Sequence, residues 1–187
     1  DRPTVNRARV QIELAHSLTL TGDAEAGLEA ARVALAEAEA AGEPSTIGRA
    51  KHVTGHDLVL TGTDVEGGLA LLRESLVIAT ETDDIDWETR AYVNLSDTLR
   101  LLGRHDEALE VGLAGHRRAL ERGLRRHGFA RLNAAEVLVG VGRLTEAREI
   151  VDQRIDAEGH MAKIHADLTE AWLDILQGRL ERVPAKI

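Results

Sequence analysis

The sequence predicts an all-α protein of stacked antiparallel helix pairs, an α-solenoid, and three observations carry this prediction. Glycines spaced 40, 41, 39 and 36 residues apart mark five similar segments, a period typical of stacked supersecondary units. They are Gly22, Gly62, Gly103, Gly142 and Gly178. A stretch with helical spacing of apolar residues lies on each side of the glycines. No segment has the pattern of a β-strand.

The third segment shows how one pair is built. Before Gly103, the apolar residues Tyr92, Leu95 and Leu99 recur at intervals of three and four, as on one face of a helix. A glycine ends a helix at low steric cost because it adopts the left-handed conformation, and helical spacing resumes after it at Ala108. Because one hairpin cannot bury its apolar face alone, each needs a neighbouring hairpin, which explains the repetition.

The helices follow in order, separated by breaks at AGEPS, ETDDID and AEGH. The predicted spans are 6–20, 23–41, 45–61, 65–81, 86–102, 105–122, 125–141, 144–157 and 161–177. Pro44 suits the first turn of the third helix. The chain is therefore expected to be a single repeat domain, 1–187, with about four and a half helix pairs, and a fragment of a longer protein.

Composition excludes several functional classes. The chain has no cysteine, which excludes disulfides and thiolate metal sites and favours a cytoplasmic location. No apolar run approaches the roughly 20 residues of a membrane span. The net charge of −9 argues against direct nucleic-acid binding.

The third segment, AYVNLSDTLRLLGRHDEALE, resembles a tetratricopeptide (TPR) repeat in its aromatic Tyr92, small Ser96, turn Gly103 and small Ala108. The fourth keeps Asn133, Ala135, Leu138, Gly142 and Ala147. Departures from the pattern are Gly27 in place of the alanine, Arg131 in place of an aromatic residue, and Asp174 in place of an apolar one. The resemblance implies a right-handed superhelix whose inner groove, lined by the first helix of each pair, binds a protein or peptide.

Longer phrases, RAYVNLSDTLRLLGRHDEALEVGLAG and AWLDILQGRLE, are similar to the helical repeats of large ATP-binding LuxR-type (MalT-like) transcriptional regulators. In that family a P-loop NTPase domain precedes the repeats and a DNA-binding helix-turn-helix follows them. This chain contains neither G-x-x-x-x-G-K-[ST] nor a recognition helix, so neither activity is assigned to it.

Two groups of charged residues have alternative interpretations. His52 and His56, four residues apart, could ligate a metal, although two exposed or partner-facing histidines are favoured; His160 and His165 have poorer spacing. An arginine cluster could contact phosphate or an acidic partner, or be a solvated helix face. Its members are Arg117, Arg118, Arg122, Arg125, Arg126 and Arg131.

Counting back thirteen, ten, six and three residues from each turn glycine gives the expected groove face. The predicted partner-binding residues are Arg49, His52, His56, Arg90, Asp97 and Arg100. An Arg- and His-rich lining suits an acidic or carboxylate-bearing ligand, with pH dependence near 6–7 from the histidines. In the alternative without a ligand, Arg90 and Arg100 pair with Asp97 and neighbouring carboxylates, and the groove is solvated. The last two segments present apolar residues that are either core, left by a missing neighbour, or an apolar groove: Phe129, Leu132, Val139, Leu168, Trp172 and Ile175.

The predicted function is a non-enzymatic interaction or ligand-sensing module of an intracellular regulator, without a cofactor. Its partner would be a protein, a peptide or an acidic small ligand, and oligomers are compatible with it. The alternatives are a stand-alone TPR scaffold for a peptide client and, third, a histidine-metal hydrolase.

Overall fold

The computed structural model describes residues 3–123, 128–153 and 160–185, and these residues form nine α-helices and one 3-10 helix, without a strand. The α-helices are α1 (Val5–Leu20), α2 (Ala24–Ala41), α3 (Pro44–Leu60), α4 (Val65–Glu81), α5 (Ile85–Leu101), α6 (His105–Glu121), α7 (Gly128–Gly140), α8 (Leu144–Asp152) and α9 (His160–Leu176). The 3-10 helix is Leu180–Ala185. Within the described ranges, no helix has the length and apolar character that crossing a bilayer requires. The predicted all-α, TPR-like repeat fold is confirmed.

The helices fall into two compact units, one ending at Ala91 and one beginning at Tyr92. In the first unit, α1 packs against α2 and α3 against α4, while α2 and α1 also contact α3. In the second, α7 packs against α6, α8 and α9. Within each unit, a helix pair thus packs against the next pair, as the repeat requires.

The turn within each pair depends on the predicted glycine. The φ angles are +93° at Gly22, +68° at Gly62, +74° at Gly103, +79° at Gly142 and +73° at Gly178. In this left-handed region glycine avoids the steric cost that a side chain would bring. In the first two pairs, an aspartate is the N-cap of the second helix. Asp23 accepts a hydrogen bond from the Ala26 N–H (3.1 Å) at the start of α2, and Asp64 accepts one from the Gly67 N–H (2.9 Å) at the start of α4.

The two helices of a pair cross at a small residue, four places after the N-cap of the second helix. These residues are Gly27, Gly68, Ala108 and Ala147, and all four are buried. A Cβ atom on Gly68 would lie 2.6 Å from the backbone oxygen of Gly55, so that crossing allows no side chain. At the third crossing, the Ser96 hydroxyl donates a hydrogen bond to the Ala108 carbonyl (2.9 Å). The burial predicted for Ala108 and Ala147 is confirmed.

Helix α8 is shorter than predicted, because it ends at Asp152 instead of residue 157; residues 154–157 lie outside the described part. The fully buried Arg131 supplies the reason. Its Nη1 donates to the carbonyl oxygens of Ile150 (2.9 Å) and Val151 (2.8 Å), which are among the last carbonyls of α8 and have no partner within a helix that ends at Asp152. Arg131 therefore does not belong to a solvated arginine face, and that interpretation of it was wrong.

Asp174 is a second charged residue in the core, at a position where the repeat has an apolar residue. It is fully buried, and its Oδ1 accepts a hydrogen bond from the Arg148 guanidinium. The pair joins α8 to α9 by a charge-assisted bond, which offsets the desolvation of both groups.

Replacing Ala108 with Leu would overpack the crossing of α5 and α6, because the site has no space for three more carbons. We expect the free energy of unfolding to fall by about 1–3 kcal/mol in urea titrations. Ala36→Leu, at an exposed site on α2, is the matched control and should stay close to wild type. Equal stability of both variants would show that the crossing is assigned to the wrong residue.

Candidate functional site

Three arginines occupy the same register on successive first helices of the first unit. Arg9 on α1, Arg49 on α3 and Arg90 on α5 each lie thirteen residues before a turn glycine, and we call them the arginine row. Arg9 and Arg49 line one recess of the surface. Arg90 is exposed and lies close enough to His52 for its charge to help lower the pKa of that histidine.

Arg49 is held in place from two sides. Its Nη2 donates to Asp84 Oδ2 over 2.7 Å, and its guanidinium carbon lies 5.0 Å from the centroid of the Trp87 ring. A guanidinium over an indole face gains a cation–π interaction, which also restricts the rotamers of the side chain. Arg49 is therefore a preorganised cation, with 40% of its side chain still accessible.

Asp84 joins α3 to the start of α5. Its Oδ2 accepts hydrogen bonds from Arg49 and from the Ser45 hydroxyl (2.8 Å), while its Oδ1 accepts from the Trp87 N–H (3.2 Å) at the first turn of α5. Burial alone would raise the pKa of the Asp84 carboxyl, but the bonds from Arg49, Ser45 and Trp87 outweigh it and lower the pKa below 3.8. The carboxylate is therefore ionised at neutral pH.

The structure contradicts the partner-facing position predicted for His52. The side chain is only 5% exposed, and its ring meets Trp87 edge-on with the centroids 4.9 Å apart. Burial, followed by the charges of His56, His16 and Arg90, lowers the pKa of His52 to about 3. His52 consequently stays neutral near pH 6–7, and it supports Trp87 instead of supplying the predicted pH dependence.

His56 lies on the more open side of α3, with 42% of its side chain exposed. Its Nδ1 is 3.2 Å from Oδ1 of the buried Asp57, which also accepts a hydrogen bond from the Thr19 hydroxyl (3.0 Å). His52 and His56 thus contact different partners. In the described part of the chain, no group of three His, Cys, Asp or Glu side chains could hold a metal ion.

In the second unit, Arg100 takes part in a polar network that links α5, α7 and α9. Arg100 Nη2 donates to Asp97 (2.6 Å) on its own helix, and its Nε lies 3.8 Å from Glu136 Oε2. Glu136 Oε1 in turn lies 2.6 Å from His165 Nε2. For Arg100, the alternative of pairing with carboxylates of the same chain therefore holds, because Asp97 and Glu136 lie beside it. The sequence prediction omitted Glu136 and His165, although the same count of six and thirteen residues from the turn glycine reaches them.

The apolar residues expected on this face divide into two groups. Leu132 and Val139 are buried in the core, whereas Phe129, Leu168, Trp172 and Ile175 are exposed. Phe129 also lies beside His165, with 5.8 Å between the ring centroids. Within the arginine cluster, Arg118 lies 3.6 Å from Glu121 on the same helix, so this arginine has a carboxylate partner. Arg125 and Arg126 of that cluster lie outside the described residues.

Comparison with known proteins supports the repeat assignment. The tetratricopeptide repeat family model matches residues 89–111 and 128–153, which correspond to parts of the third and fourth helix pairs. Those two segments are therefore similar to tetratricopeptide repeats in sequence. None of the curated proteins matches the chain.

Solved structures share the fold across nearly the whole chain. Two crystal structures of the nearly identical TPR-like repeats of a Podosopora anserina protein, described as a kinesin light chain, give TM-scores of 0.77 and 0.76. Both are 16% identical, over 97% of this chain and 92% of theirs. A Pyrococcus horikoshii Signal Transduction ATPase with Numerous Domains (STAND), which has a tetratricopeptide repeat sensor, gives 0.71 at 19% identity. There the match covers 94% of this chain and 28% of that protein. At such identities the likeness shows the fold alone, and the resemblance to LuxR-type regulators stays a prediction.

Glu136→Gln should reveal the role of the network in the second unit. Burial alone would raise the pKa of Glu136, but the hydrogen bond and charge of His165 and the charge of Arg100 hold it below 4.5. A lowered pKa stabilises the fold above pH 4.5, and this contribution is lost as the pH falls through the folded-state value. We expect Glu136→Gln to cost about 1–3 kcal/mol of unfolding free energy at pH 7.

The measurement is a series of urea titrations of both proteins between neutral and acidic pH. The difference between wild type and Glu136→Gln should shrink below pH 4.5, where the wild-type carboxylate becomes protonated. Glu110→Gln, at an exposed site on α6, controls for the loss of one negative charge. A difference that is constant with pH would contradict the assigned ion pairs.

Proposed function

We infer that this chain is a non-enzymatic binding module of an intracellular signalling or transcriptional regulator, and that its arginine row binds an acidic protein or peptide. The observation that carries the proposal is the repetition of Arg9, Arg49 and Arg90 at one register position. The three arginines recur about forty residues apart at this position, although the chain has a net charge of −9. An arginine binds a carboxylate by charge-assisted hydrogen bonds, which are stronger than neutral ones.

The link through Asp84 suggests how binding could reach the rest of the first unit. A partner carboxylate at Arg49 would compete with Asp84 Oδ2, which also accepts from Ser45. Displacing Asp84 would loosen the connection between α3 and the first turn of α5, where Asp84 Oδ1 accepts from Trp87. A ligand that favours the displaced arrangement would shift the population towards it, as a sensor requires.

The residues of the predicted groove take different parts in this proposal. Arg49 and Arg90 contact the partner, together with Arg9, and His56 borders the same helix face. His52 acts through its packing on Trp87. Asp97 and Arg100 lie in the second unit and pair with each other, so they are not part of the arginine row.

The likeness to the STAND protein favours a sensor over a stand-alone scaffold, because that protein is described as carrying a tetratricopeptide repeat sensor. The scaffold is the second candidate, favoured by the kinesin light chain-like repeats that match over 92% of their own length. The two differ in what else the polypeptide contains. A P-loop domain and a helix-turn-helix in the same open reading frame would support the regulator, and their absence would support the scaffold.

The binding proposal is tested with a fluorescein-labelled oligoglutamate peptide, whose anisotropy is followed as protein is added. We expect Arg9→Gln/Arg90→Gln to weaken binding about tenfold or more, since each lost charged hydrogen bond contributes roughly 1.5–3 kcal/mol before solvent screening. The affinity of wild type should also fall as salt is added. This double variant leaves Arg49 and its contacts to Asp84 and Trp87 intact.

The matched control is Arg32→Gln/Arg143→Gln, which removes the same charge away from the first helices. Arg32 pairs with Glu29 on α2 and Arg143 with Glu146 on α8. Oligolysine of the same length controls for non-specific association. Equal loss of affinity in the two double variants would mean that net charge alone binds the peptide, and the arginine row would not be the site.

A further inference from the structure

A recess in the first unit combines residues of two helices with the residue before a third, at the arginine row. It has a volume of about 370 Å³ and is lined by Arg9, Ile12 and Glu13 of α1, Ser45 and Arg49 of α3, and Asp84 before α5. This volume lies at the lower end of the range for small-molecule sites. The recess is therefore the size of a metabolite and smaller than a folded peptide.

The charges around the recess are mixed. Arg9 and Arg49 supply two cations, and Glu13 and Asp84 supply two carboxylates. Arg49 and Asp84 already contact each other over 2.7 Å, while Arg9 Nη2 is 3.9 Å from Glu43 outside the recess. A ligand with a carboxylate alone would meet Glu13 and Asp84 as like charges, and an amine alone would meet both arginines. Either ligand would lose through repulsion much of what it gained.

A zwitterion fits both signs at once. Its carboxylate can accept from Arg49 while its ammonium donates to Asp84, so the two protein groups exchange partners and neither is left uncompensated. Ile12, a largely buried residue that borders the recess, adds an apolar wall that suits a short aliphatic side chain.

From these observations we propose that the recess binds a small aliphatic α-amino acid, with its carboxylate towards Arg9 and Arg49 and its ammonium towards Glu13 and Asp84. The inference rests on the proposed ligand-binding function and specifies a second, smaller ligand at the same face. A bound amino acid would replace the Arg49–Asp84 contact, which is the link between α3 and α5 described above.

The experiment measures binding of L-alanine, L-valine and L-leucine by isothermal titration calorimetry. Isovalerate and isobutylamine serve as valine analogues that each lack one charged group. At least one amino acid should bind, and the analogue of valine without its ammonium or carboxylate should bind about tenfold more weakly or worse. Glu13→Gln should weaken amino-acid binding by a similar factor, because it removes a partner of the ammonium.

The location of the ligand is read from Trp87, whose ring lies under the Arg49 guanidinium. Trp172→Phe removes the other tryptophan, so that the remaining fluorescence reports on Trp87 alone. The amino acid that binds should change this fluorescence with the same dissociation constant as the calorimetry. Glu25→Gln, at an exposed site on α2, is the control for Glu13→Gln and should leave binding unchanged.

The outcomes separate this inference from the proposed function. Equal binding of valine and isovalerate would overturn the zwitterion and leave an acidic partner standing. Absence of binding by all three amino acids would also overturn it, whatever the oligoglutamate peptide does. If an amino acid binds but the oligoglutamate peptide does not bind at the arginine row, the proposed acidic partner would be wrong and the recess would remain a small-molecule site.

Discussion

Each of the first four helix pairs depends on one close crossing at a buried residue with little or no side chain. At Gly68 the approach to the Gly55 carbonyl excludes even a methyl group, whereas Ala108 fills its site at the crossing of α5 and α6. Because the crossing lies four residues after the N-cap, it fixes which face of the first helix points towards the second. The opposite positions are then free to carry function, and the arginine row occupies one of them at Arg9, Arg49 and Arg90. The left-handed turn glycine and the small crossing residue together determine where the helices of a pair turn and where they cross.

Because these constraints are local, the sequence could predict them. The spacing from Gly62 to Gly103 predicted the helix pairs and the register that places Arg49 and Arg90 alike. Helix ends were predicted within one or two residues wherever a glycine or an N-cap determines them, as at Asp23. The end of α8 was missed because it depends on Arg131, nineteen residues upstream of the carbonyl it contacts. Counting from the turn glycine gives the register of a side chain and leaves its burial undetermined, and His52 was misplaced for that reason.

Buried polar groups are the part of this structure that a helical pattern does not encode. Arg131 and Asp174 each interrupt the apolar pattern, and each has partners on another helix. A buried charge is stable only when such partners are present, and their identity depends on the packing of distant segments. Sequence reasoning could note that Arg131 and Asp174 depart from the repeat. It could not assign Arg131 to the end of α8 or Asp174 to Arg148, because both assignments require the fold.

The existing contacts of Arg49 also limit what can bind the arginine row. Asp84 is held next to Arg49 by the chain itself, so its effective concentration is high and a free carboxylate competes poorly with it. Arg90 is exposed, and the distance from Arg9 to Glu43, 3.9 Å, exceeds that of a charge-assisted hydrogen bond. An acidic partner would therefore meet Arg9 and Arg90 first, and it would gain Arg49 only by supplying a replacement for that arginine at Asp84. A ligand with both a carboxylate and an ammonium supplies it in one step, because the separated charges each receive a new partner. If the proposed recess binds a ligand, the ion pair that is already formed would therefore disfavour simple anions and favour molecules that can exchange with both of its members.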